Sequence, residues 1–318
     1  MSQPAIQVTD LKVYFPTGKR DRPVRALDGV SLSVEEGSFH AVVGESGCGK
    51  TTLARALIGL QPATAGSISI RGRNISEWMR DRKRFASEVQ FVFQNPLGAL
   101  SRRQTVRQSL EEPLLIHRMG SASERGARIA KLMELVGLPS VMLDRLPRSL
   151  SGDQRQRVAI ARALALEPSI LICDEPLSAL DVSIQAQIVN LFSELQRDLG
   201  LTIVMISHDL AVVREMCTQA TVMYLGKVAE IGRIDLMFRA PGHPYTEALL
   251  SAVPSLNPRE EKKRHRIVLK GDPPSPMAPP SGCRFHTRCI IAEPRCSTIE
   301  PPLEAKQTGT VAACLVTS

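Results

Sequence analysis

Apolar and polar positions alternate in short segments along this chain, which is the pattern of half-buried β-strands. Residues 29–34 show it most clearly, because Val30, Leu32 and Val34 alternate with glycine and serines. Further strands are predicted at residues 5–15, 39–43, 67–71, 89–93, 170–173 and 202–206. The last two are mostly apolar, so we expect them to be buried on both faces of an α/β sheet.

Helical patterns fill the stretch between about residues 95 and 165. Pro96 must interrupt regular structure after the strand at 89–93, and residues 124–136 form a helix-forming run. The strand signals stop over this stretch, which predicts a helical insertion within an α/β domain. A later helix is predicted by a core-facing stripe of apolar residues. The stripe consists of Ile184, Ile188, Leu191 and Leu195.

Length and composition allow one large α/β domain or two domains, since the chain has 318 residues and 43% hydrophobic residues. The net charge of +8 fits an acidic partner, but a solvated cationic surface is the commoner explanation. No run of 18 apolar residues occurs, and the first ten residues lack the basic and apolar regions of a signal peptide. We therefore expect a soluble chain in the cytoplasm.

A phosphate-binding loop is predicted directly after the strand at 39–43. The spacing is G-x4-GK[ST], with a strand before it and a helix after it, so backbone N–H groups point at an anion. Lys50 would reach the β- and γ-phosphates, and the Thr51 hydroxyl would join a Mg²⁺ shell. The loop residues are Gly44, Glu45, Ser46, Gly47, Cys48, Gly49, Lys50, Thr51 and Thr52.

An aromatic residue at the end of the first strand is a candidate platform for a purine base. Phe15 is the first choice and Tyr14 the second, because both lie just before a basic loop at residues 17–23. Packing of these rings in the core is the alternative, since aromatic side chains are usually buried.

Two further motifs are predicted to meet the phosphates. Ser151 would cap a helix after residue 151, and Gly152 follows at its positively polarised N-terminus. At the end of the strand at 170–173, Asp174 is placed to bind Mg²⁺ and Glu175 to polarise an attacking water. His208 ends another strand, where ligands bind in open α/β sheets.

These motifs, in this order, resemble the nucleotide-binding subunits of ABC transporters over about residues 5–240. The resemblance implies a P-loop NTPase (RecA-like) cassette with an antiparallel β subdomain and a helical insertion. It also implies a head-to-tail dimer that holds ATP between the loop at Lys50 and the Ser151–Gly152 segment of the other subunit. Gln94 would sense the γ-phosphate and, with Thr51 and Asp174, belong to the Mg²⁺ site.

The same resemblance assigns roles to two other positions. Asp181 would communicate across the dimer. His208 would contact the γ-phosphate and hold Glu175 and the attacking water in place.

The C-terminal residues 243–254 and 279–289 resemble the ATPases of oligopeptide and dipeptide uptake systems. We therefore predict a nucleotide-binding domain at 1–240, with the insertion at about 95–165, and a small cysteine-containing extension at 241–318. The resemblance implies two transmembrane permeases, a second, different ATPase, an extracytoplasmic binding protein as an indirect partner, and no nucleic acid. It places the chain peripherally on the cytoplasmic face of the inner membrane.

Other functions stay open at this point. Related systems carry nickel or other small solutes, and the ATPase does not touch the solute. A soluble ABC ATPase would use the same motifs without a permease, although paired cassettes and a long coiled-coil insertion are absent from the sequence. A non-catalytic regulatory subunit is a third possibility, against which Lys50, Asp174, Glu175 and His208 argue.

Four cysteines cluster at the end of the chain, which contains seven in total. They are Cys283, Cys289, Cys296 and Cys314. Four thiolates hold either tetrahedral zinc or a [4Fe–4S] cluster. We favour the cluster, because the spacings exceed those of zinc ribbons and similar cysteines in the peptide-transport relatives are associated with one. Arg284, His286 and Arg288 are interpreted as part of a surface that faces a partner.

Residues 150–154 correspond to the signature segment of this family, which usually reads LSGGQ. Here the segment reads LSGDQ, because Asp153 replaces the second glycine. A carboxylate about 5 Å from the γ-phosphate would cost on the order of 3 kcal/mol at a dielectric near 20. We therefore prefer an asymmetric heterodimer in which the ATP site that uses this segment is slow. Alternatively, Asp153 turns outward or is offset by nearby arginines.

Overall fold

The computed structural model describes residues 3–18, 23–178, 180–254 and 266–318. They divide into two compact units, one made of Met1–Ile75 with Ile206–Ser318 and the other of Ser76–Met205. The predicted basic loop at 17–23 is only partly described, and Ala179 lies outside the described residues.

The predicted strands and helices are present, with shifted ends. The strands are β1 (Ile6–Phe15), β2 (Val24–Val34), β3 (Phe39–Val43), β4 (Ala65–Ile70), β5 (Arg73–Asn74), β6 (Val89–Val92), β7 (Ile170–Asp174), β8 (Thr202–Ser207), β9 (Gln219–Tyr224), β10 (Lys227–Arg233), β11 (Glu304–Ala305) and β12 (Val311–Ala312). The helices are α1 (Lys50–Leu57), α2 (Ile75–Trp78), α3 (Arg82–Glu88), α4 (Pro96–Ala99), α5 (Val106–Ile116), α6 (Ala122–Leu135), α7 (Gly152–Leu164), α8 (Val182–Leu199), α9 (Leu210–Met216), α10 (Ile234–Arg239) and α11 (Pro244–Ser251).

The first unit contains an antiparallel sheet in the order β2-β1-β4-β5. Ile6 of β1 lies opposite Val34 of β2 and Ile70 of β4, so these apolar residues face one side together. The inward positions of β1 are fully buried, with a period of two on either side of a register shift between Val8 and Leu11. This sheet is the antiparallel subdomain predicted from the sequence.

A second sheet in the same unit carries the phosphate loop. β3 pairs with β9 in parallel, and β9 pairs antiparallel with β10. All five residues of β3 are buried. The strand therefore has a fixed position, and its carboxyl end sets where the loop begins.

The C-terminal extension continues that sheet. β12 pairs with β10, where Val311 lies opposite Ile231, and β11 pairs with β12. Buried Glu230 of β10 accepts hydrogen bonds from the backbone N–H groups of Gly242 and His243, at 2.8 and 3.0 Å, and from the Thr310 hydroxyl at 2.7 Å. Because residues on both sides of position 240 belong to one compact unit, the predicted boundary there stays a prediction.

The second unit contains β6, β7 and the start of β8, in that order across the sheet. β6 and β7 are parallel. Only helices and turns occupy the described residues between them, which confirms the helical insertion. Pro96 starts α4, where its missing N–H costs nothing. In α8, Ile188, Leu191 and Leu195 are buried as predicted.

Across the described parts of the chain, no helix combines the length and the apolar character needed to cross a membrane.

The fold contains two buried histidines, and we expect them to lower its free energy of unfolding in mild acid. Burial lowers the pKa of His40 and of His243 to about 4, from an ordinary value of 6.5. Between about pH 6.5 and 4 the unfolded chain takes up a proton at each site and the folded chain does not. Stability therefore falls as pH falls through this window, by up to about 3 kcal/mol per histidine.

Unfolding midpoints in urea, measured from pH 7 to 4, check this expectation with His243→Asn. His243 Nδ1 accepts from the Tyr245 N–H at the start of α11, and asparagine can keep that cap. The variant should lose less stability on acidification than the wild type. His117 is only half-buried, and its pKa is lowered by less than that of His243. His117→Asn should therefore keep more of the wild-type slope than His243→Asn does. If the unfolding midpoints of His243→Asn and wild type fell in parallel with pH, the acid loss would not come from His243.

Candidate functional site

The phosphate loop connects buried β3 to α1. Gly44 and Gly49 have positive φ angles of 149° and 109°. A Cβ at Gly44 would lie 2.2 Å from the Met223 carbonyl oxygen, and one at Gly49 would lie 2.4 Å from that of Ala26. Only glycine fits at these two positions, so the loop conformation depends on them.

Lys50 is buried and bonds to its own loop. Its Nζ donates to the carbonyl oxygens of Gly44 at 2.7 Å and Glu45 at 3.0 Å. Thr51 and Thr52 follow in the first turn of α1, and Ser46 and Gly47 at the tip are exposed. The loop therefore offers backbone donors and one lysine charge at the N-terminus of a helix.

The two candidate aromatic residues have different environments. Tyr14 donates from its hydroxyl to Asp28, and Arg25 lies over its ring at 5.9 Å from the centroid. Burial and this hydrogen bond raise the pKa of Tyr14 to about 12. Phe15 is 37% exposed at the end of β1. An accessible ring favours Phe15 over Tyr14 for base stacking and argues against core packing for Phe15.

Asp174 and Glu175 come at the end of β7, as predicted. Asp174 is buried, whereas Glu175 has a φ of +46° in the left-handed region. Gln94 Nε2 donates to Glu175 Oε2 at 3.1 Å. The structure thus brings together two predicted residues that are 81 positions apart.

The turn after Glu175 fixes its backbone. The Ser178 hydroxyl donates to the Glu175 carbonyl at 3.1 Å and accepts from Gln94 Nε2 at 3.5 Å. Asp181 is exposed at the N-cap of α8, and its side chain makes no capping hydrogen bond. His208 is exposed in the turn between β8 and α9, where Asp209 caps α9 by accepting from the Ala211 N–H at 2.9 Å.

Ser151 is the N-cap of α7 in a capping box. Its hydroxyl accepts from the Gln154 N–H at 3.2 Å, and Gln154 Oε1 accepts from the Ser151 N–H at 3.1 Å. This confirms the predicted cap, and Gly152 follows as the first helical residue.

Asp153 is paired within its own helix. Arg157 Nε donates to both carboxylate oxygens, at 3.0 and 3.2 Å, and both side chains are less than one-fifth exposed. Arg157 also bonds to the Val136 carbonyl and to Gln187 Oε1, at 2.9 and 3.1 Å. The carboxylate is therefore offset by an arginine, and the repulsion expected of an isolated charge is reduced.

The four C-terminal cysteines have free thiols, and they lie near enough to one another to interact electrostatically. Burial, together with the neighbouring thiols of Cys296, Cys314 and Cys289, raises the pKa of Cys283 to about 11. Among the described residues, no group of three or more His, Cys, Asp or Glu side chains is arranged to hold a metal ion. The thiols are thus close enough to interact electrostatically, without forming a compact single-ion site.

The interpretation of Arg284 and Arg288 as partner-facing residues is wrong. Each is 9% exposed and pairs with a carboxylate of its own chain, Asp28 for Arg284 and Glu45 for Arg288. The Tyr245 hydroxyl, which accepts from the Glu45 N–H at 2.8 Å, was also missed from sequence. Nothing in the local sequence indicates these contacts, because the partners are more than 190 residues away.

The predicted residues fall into both compact units. The phosphate loop, Phe15, His208 and the C-terminal cysteines belong to the first. Gln94, Ser151, Asp174, Glu175 and Asp181 belong to the second.

Two family profiles match the chain. The profile described as "ABC transporter" matches residues 27–178, and the one described as "Oligopeptide/dipeptide transporter, C-terminal region" matches residues 229–296.

Curated proteins match over nearly the full length. The chain is 46% identical to the dipeptide transport ATP-binding protein DppF of Escherichia coli, over 99% of this chain and 95% of that protein. It is also 46% identical to the oligopeptide transport ATP-binding protein OppF of the same organism, over 98% of this chain and 95% of that protein.

Solved structures share the fold. MJ0796, described as a bacterial ABC transporter cassette with a dimeric structure, matches with a TM-score of 0.65 and 30% identity over 72% of this chain and 98% of that one. CbiO1 of Clostridium perfringens, described as part of the ABC transporter complex CbiONQ, matches with a TM-score of 0.67 and 27% identity over 75% of this chain and 92% of that one.

Proposed function

The chain belongs to the ABC transporter ATP-binding proteins of the oligopeptide and dipeptide branch, and we propose that it hydrolyses ATP to energise peptide uptake through a membrane permease. The observation that carries this proposal is the 46% identity to DppF and OppF over almost the whole chain, extension included. The extension matters because the profile described as "Oligopeptide/dipeptide transporter, C-terminal region" matches residues 229–296, whereas the solved cassettes cover only 72–75% of this chain.

The first step we propose is phosphate binding by the loop. Lys50 and the backbone N–H groups of the loop hold the β- and γ-phosphates, and Phe15 stacks on the adenine. Ser151 and Gly152 serve the ATP held by the other ATPase subunit, through the N-terminus of α7.

Glu175 then orients and polarises the attacking water for in-line displacement. Its left-handed backbone and its hydrogen bond to Gln94 fix the carboxylate. His208 contacts the γ-phosphate and keeps the water in place, and Asp181 passes the state of one subunit to the other. Catalysis comes mainly from positioning and charge neutralisation.

We propose that Thr51, Gln94 and Asp174 would hold Mg²⁺, because hydroxyl, amide and carboxylate oxygens are ligands that it prefers. The metal supplies charge neutralisation on the β- and γ-phosphate oxygens when it is bound. The chain's own contribution is to place a hydroxyl, an amide and a buried carboxylate for it.

For the C-terminal cysteines we propose a [4Fe–4S] cluster, with zinc as the alternative. The four thiols interact with one another electrostatically but do not converge on a single ion. Cluster ligands need not converge on one point, because the sulfurs bind different corners of a larger group. When bound, the cluster supplies covalent cross-links to a segment that contains little regular structure.

The partners follow from the same family. Permease subunits accompany the ATPases of this branch, and we propose two of them, with an extracytoplasmic binding protein acting indirectly. This places the chain peripherally on the cytoplasmic face of the membrane. A second, different ATPase is proposed as the dimer partner on the basis of the peptide-transport resemblance. Arg157 offsets the charge of Asp153. We therefore expect a smaller difference in rate between the two ATP sites than an unpaired aspartate would cause.

Reconstitution tests the proposal. The chain is co-expressed with its permeases and second ATPase, and the complex is placed in liposomes that contain ATP. External dipeptide and binding protein should give uptake that requires this chain and stimulate ATP hydrolysis. The same assay with nickel ions in place of the peptide tests whether the complex transports nickel instead. Purification of the chain without any membrane protein, or uptake that is unchanged in its absence, would contradict the proposal.

A further inference from the structure

Arg288, in the C-terminal extension, binds the phosphate loop. It is 243 positions from Glu45 in sequence, yet its Nη1 donates to Glu45 Oε2 at 2.7 Å and its Nη2 to Oε1 at 3.1 Å. The Arg288 side chain is 7% exposed and that of Glu45 is 27% exposed. A two-pronged, mostly buried pair of this kind is strong and directional.

Aromatic side chains hold the arginine and the loop in register. Arg288 Nη1 lies 3.5 Å from the Tyr224 hydroxyl, and the Arg288 Cζ is 6.0 Å from the centre of the Tyr224 ring. The Tyr245 ring packs on Tyr224 at 4.7 Å between centroids. The arginine therefore sits on a rigid aromatic surface.

Glu45 is thereby held at all its polar groups. Its N–H donates to the Tyr245 hydroxyl at 2.8 Å, its carbonyl accepts from Lys50 at 3.0 Å, and its carboxylate accepts from Arg288. Two of these three contacts come from residues beyond position 240. The first residue after Gly44 thus takes its conformation from the C-terminal part of the chain.

The charges give this contact a consequence for an anionic ligand. Glu45 is the only acidic residue among residues 44–52, which contain a single lysine. An unpaired carboxylate in the loop would repel any phosphate bound by the loop's N–H groups. Arg288 neutralises that carboxylate and fixes its direction.

We propose that Arg288, supported by Tyr245, is a positioning residue for ATP binding. The extension is then part of the nucleotide site, because it sets the charge and conformation of the phosphate loop without touching the nucleotide. The inference rests on the proposed function, in which this loop binds ATP.

The test measures the dissociation constant of MgATP for the full-length chain within its transporter complex. Arg288→Gln should weaken binding about tenfold, the size expected of one uncompensated charge at several ångström in a partly solvated site. Glu45→Gln combined with Arg288→Gln should recover affinity to within about threefold of wild type, because no unpaired carboxylate remains. Rescue by a second loss of charge is a result that a purely structural role does not give.

A matched control comes from the same extension. Arg295 pairs with Glu293 at 2.7 Å on the surface, where the two side chains are about half exposed. Arg295→Gln should leave ATP affinity unchanged. Arg288→Lys keeps the positive charge but cannot make both hydrogen bonds to the Glu45 carboxylate. We therefore expect it to bind ATP about threefold more weakly than wild type.

Two results would overturn the inference. One is wild-type ATP affinity of the Arg288→Gln variant, and the other is equal weakening of ATP binding in the single and double variants. If Arg288→Gln does not fold, Arg288→Lys carries the test, and unchanged affinity in it has the same meaning. Lys50→Ala distinguishes a failure of this inference from a failure of the proposed function. Wild-type ATP binding by that variant would overturn the proposed function itself.

Discussion

Glu175→Gln should lower ATP turnover in the assembled transporter by about a hundredfold or more, the size expected when a general base is lost. ATP binding should stay intact, because the change removes a charge from the water-binding side chain and leaves the phosphate loop alone. Glutamine has nearly the same shape, and its amide oxygen can still accept from Gln94 Nε2, which donates to Glu175 Oε2 at 3.1 Å. Turnover and the dissociation constant of ATP are measured on the same preparation.

Glu167→Gln is a matched control for this variant. Glu167 is also a glutamate in the left-handed region, with a φ of +53° against +46° for Glu175. It pairs with Arg128 on the surface and is outside every predicted motif. Its replacement should leave turnover within about twofold of wild type, since surface substitutions usually have small effects. Normal hydrolysis by Glu175→Gln would show that another residue polarises the water.

Replacing Cys289 with serine should remove the proposed cluster and loosen the extension. The full-length protein, purified without oxygen, should contain iron and absorb near about 400 nm, and the Cys289→Ser variant should lose both. We also expect its thermal midpoint to fall by about 5 °C, which corresponds to a loss of about 3 kcal/mol in a chain of this length. The reason is that Phe285 is the only large apolar side chain that is fully buried among the described residues of 266–318.

Cys217→Ala is the control for the cysteine test. Cys217 is a buried thiol outside the C-terminal cluster, and burial raises its pKa far above the ordinary value. This variant should keep its iron. One zinc per chain would favour the alternative metal, and a wild-type protein without iron, zinc or visible absorption would contradict both metal assignments.

The phosphate loop could be predicted because its information is local. Gly44, Gly49 and Lys50 lie within seven residues, between a buried strand and a helix. The cap at Ser151 is local as well, since Gln154 is three positions away. Such motifs predicted the fold class and the family before any long-range contact was known.

One local signal supported the alternative in which nearby arginines offset Asp153. Arg157 lies four positions after Asp153 on the same helix, where side chains meet on one face. The spacing alone indicates the pair, and it reduces the repulsion that an isolated aspartate would cause. The depth of burial and the further bonds of Arg157 to Val136 and Gln187 needed the structure.

The sequence by itself determined the chemistry of the nucleotide motifs, because short spacings fix the loop, the caps and the residues at strand ends. Only the tertiary structure decided what surrounds them. The contacts of Glu45 with Tyr245 and Arg288 span 200 and 243 positions. They exist because β10, β12 and the extension pack in one unit with β3, and no periodicity or spacing encodes which distant side chains such packing brings together.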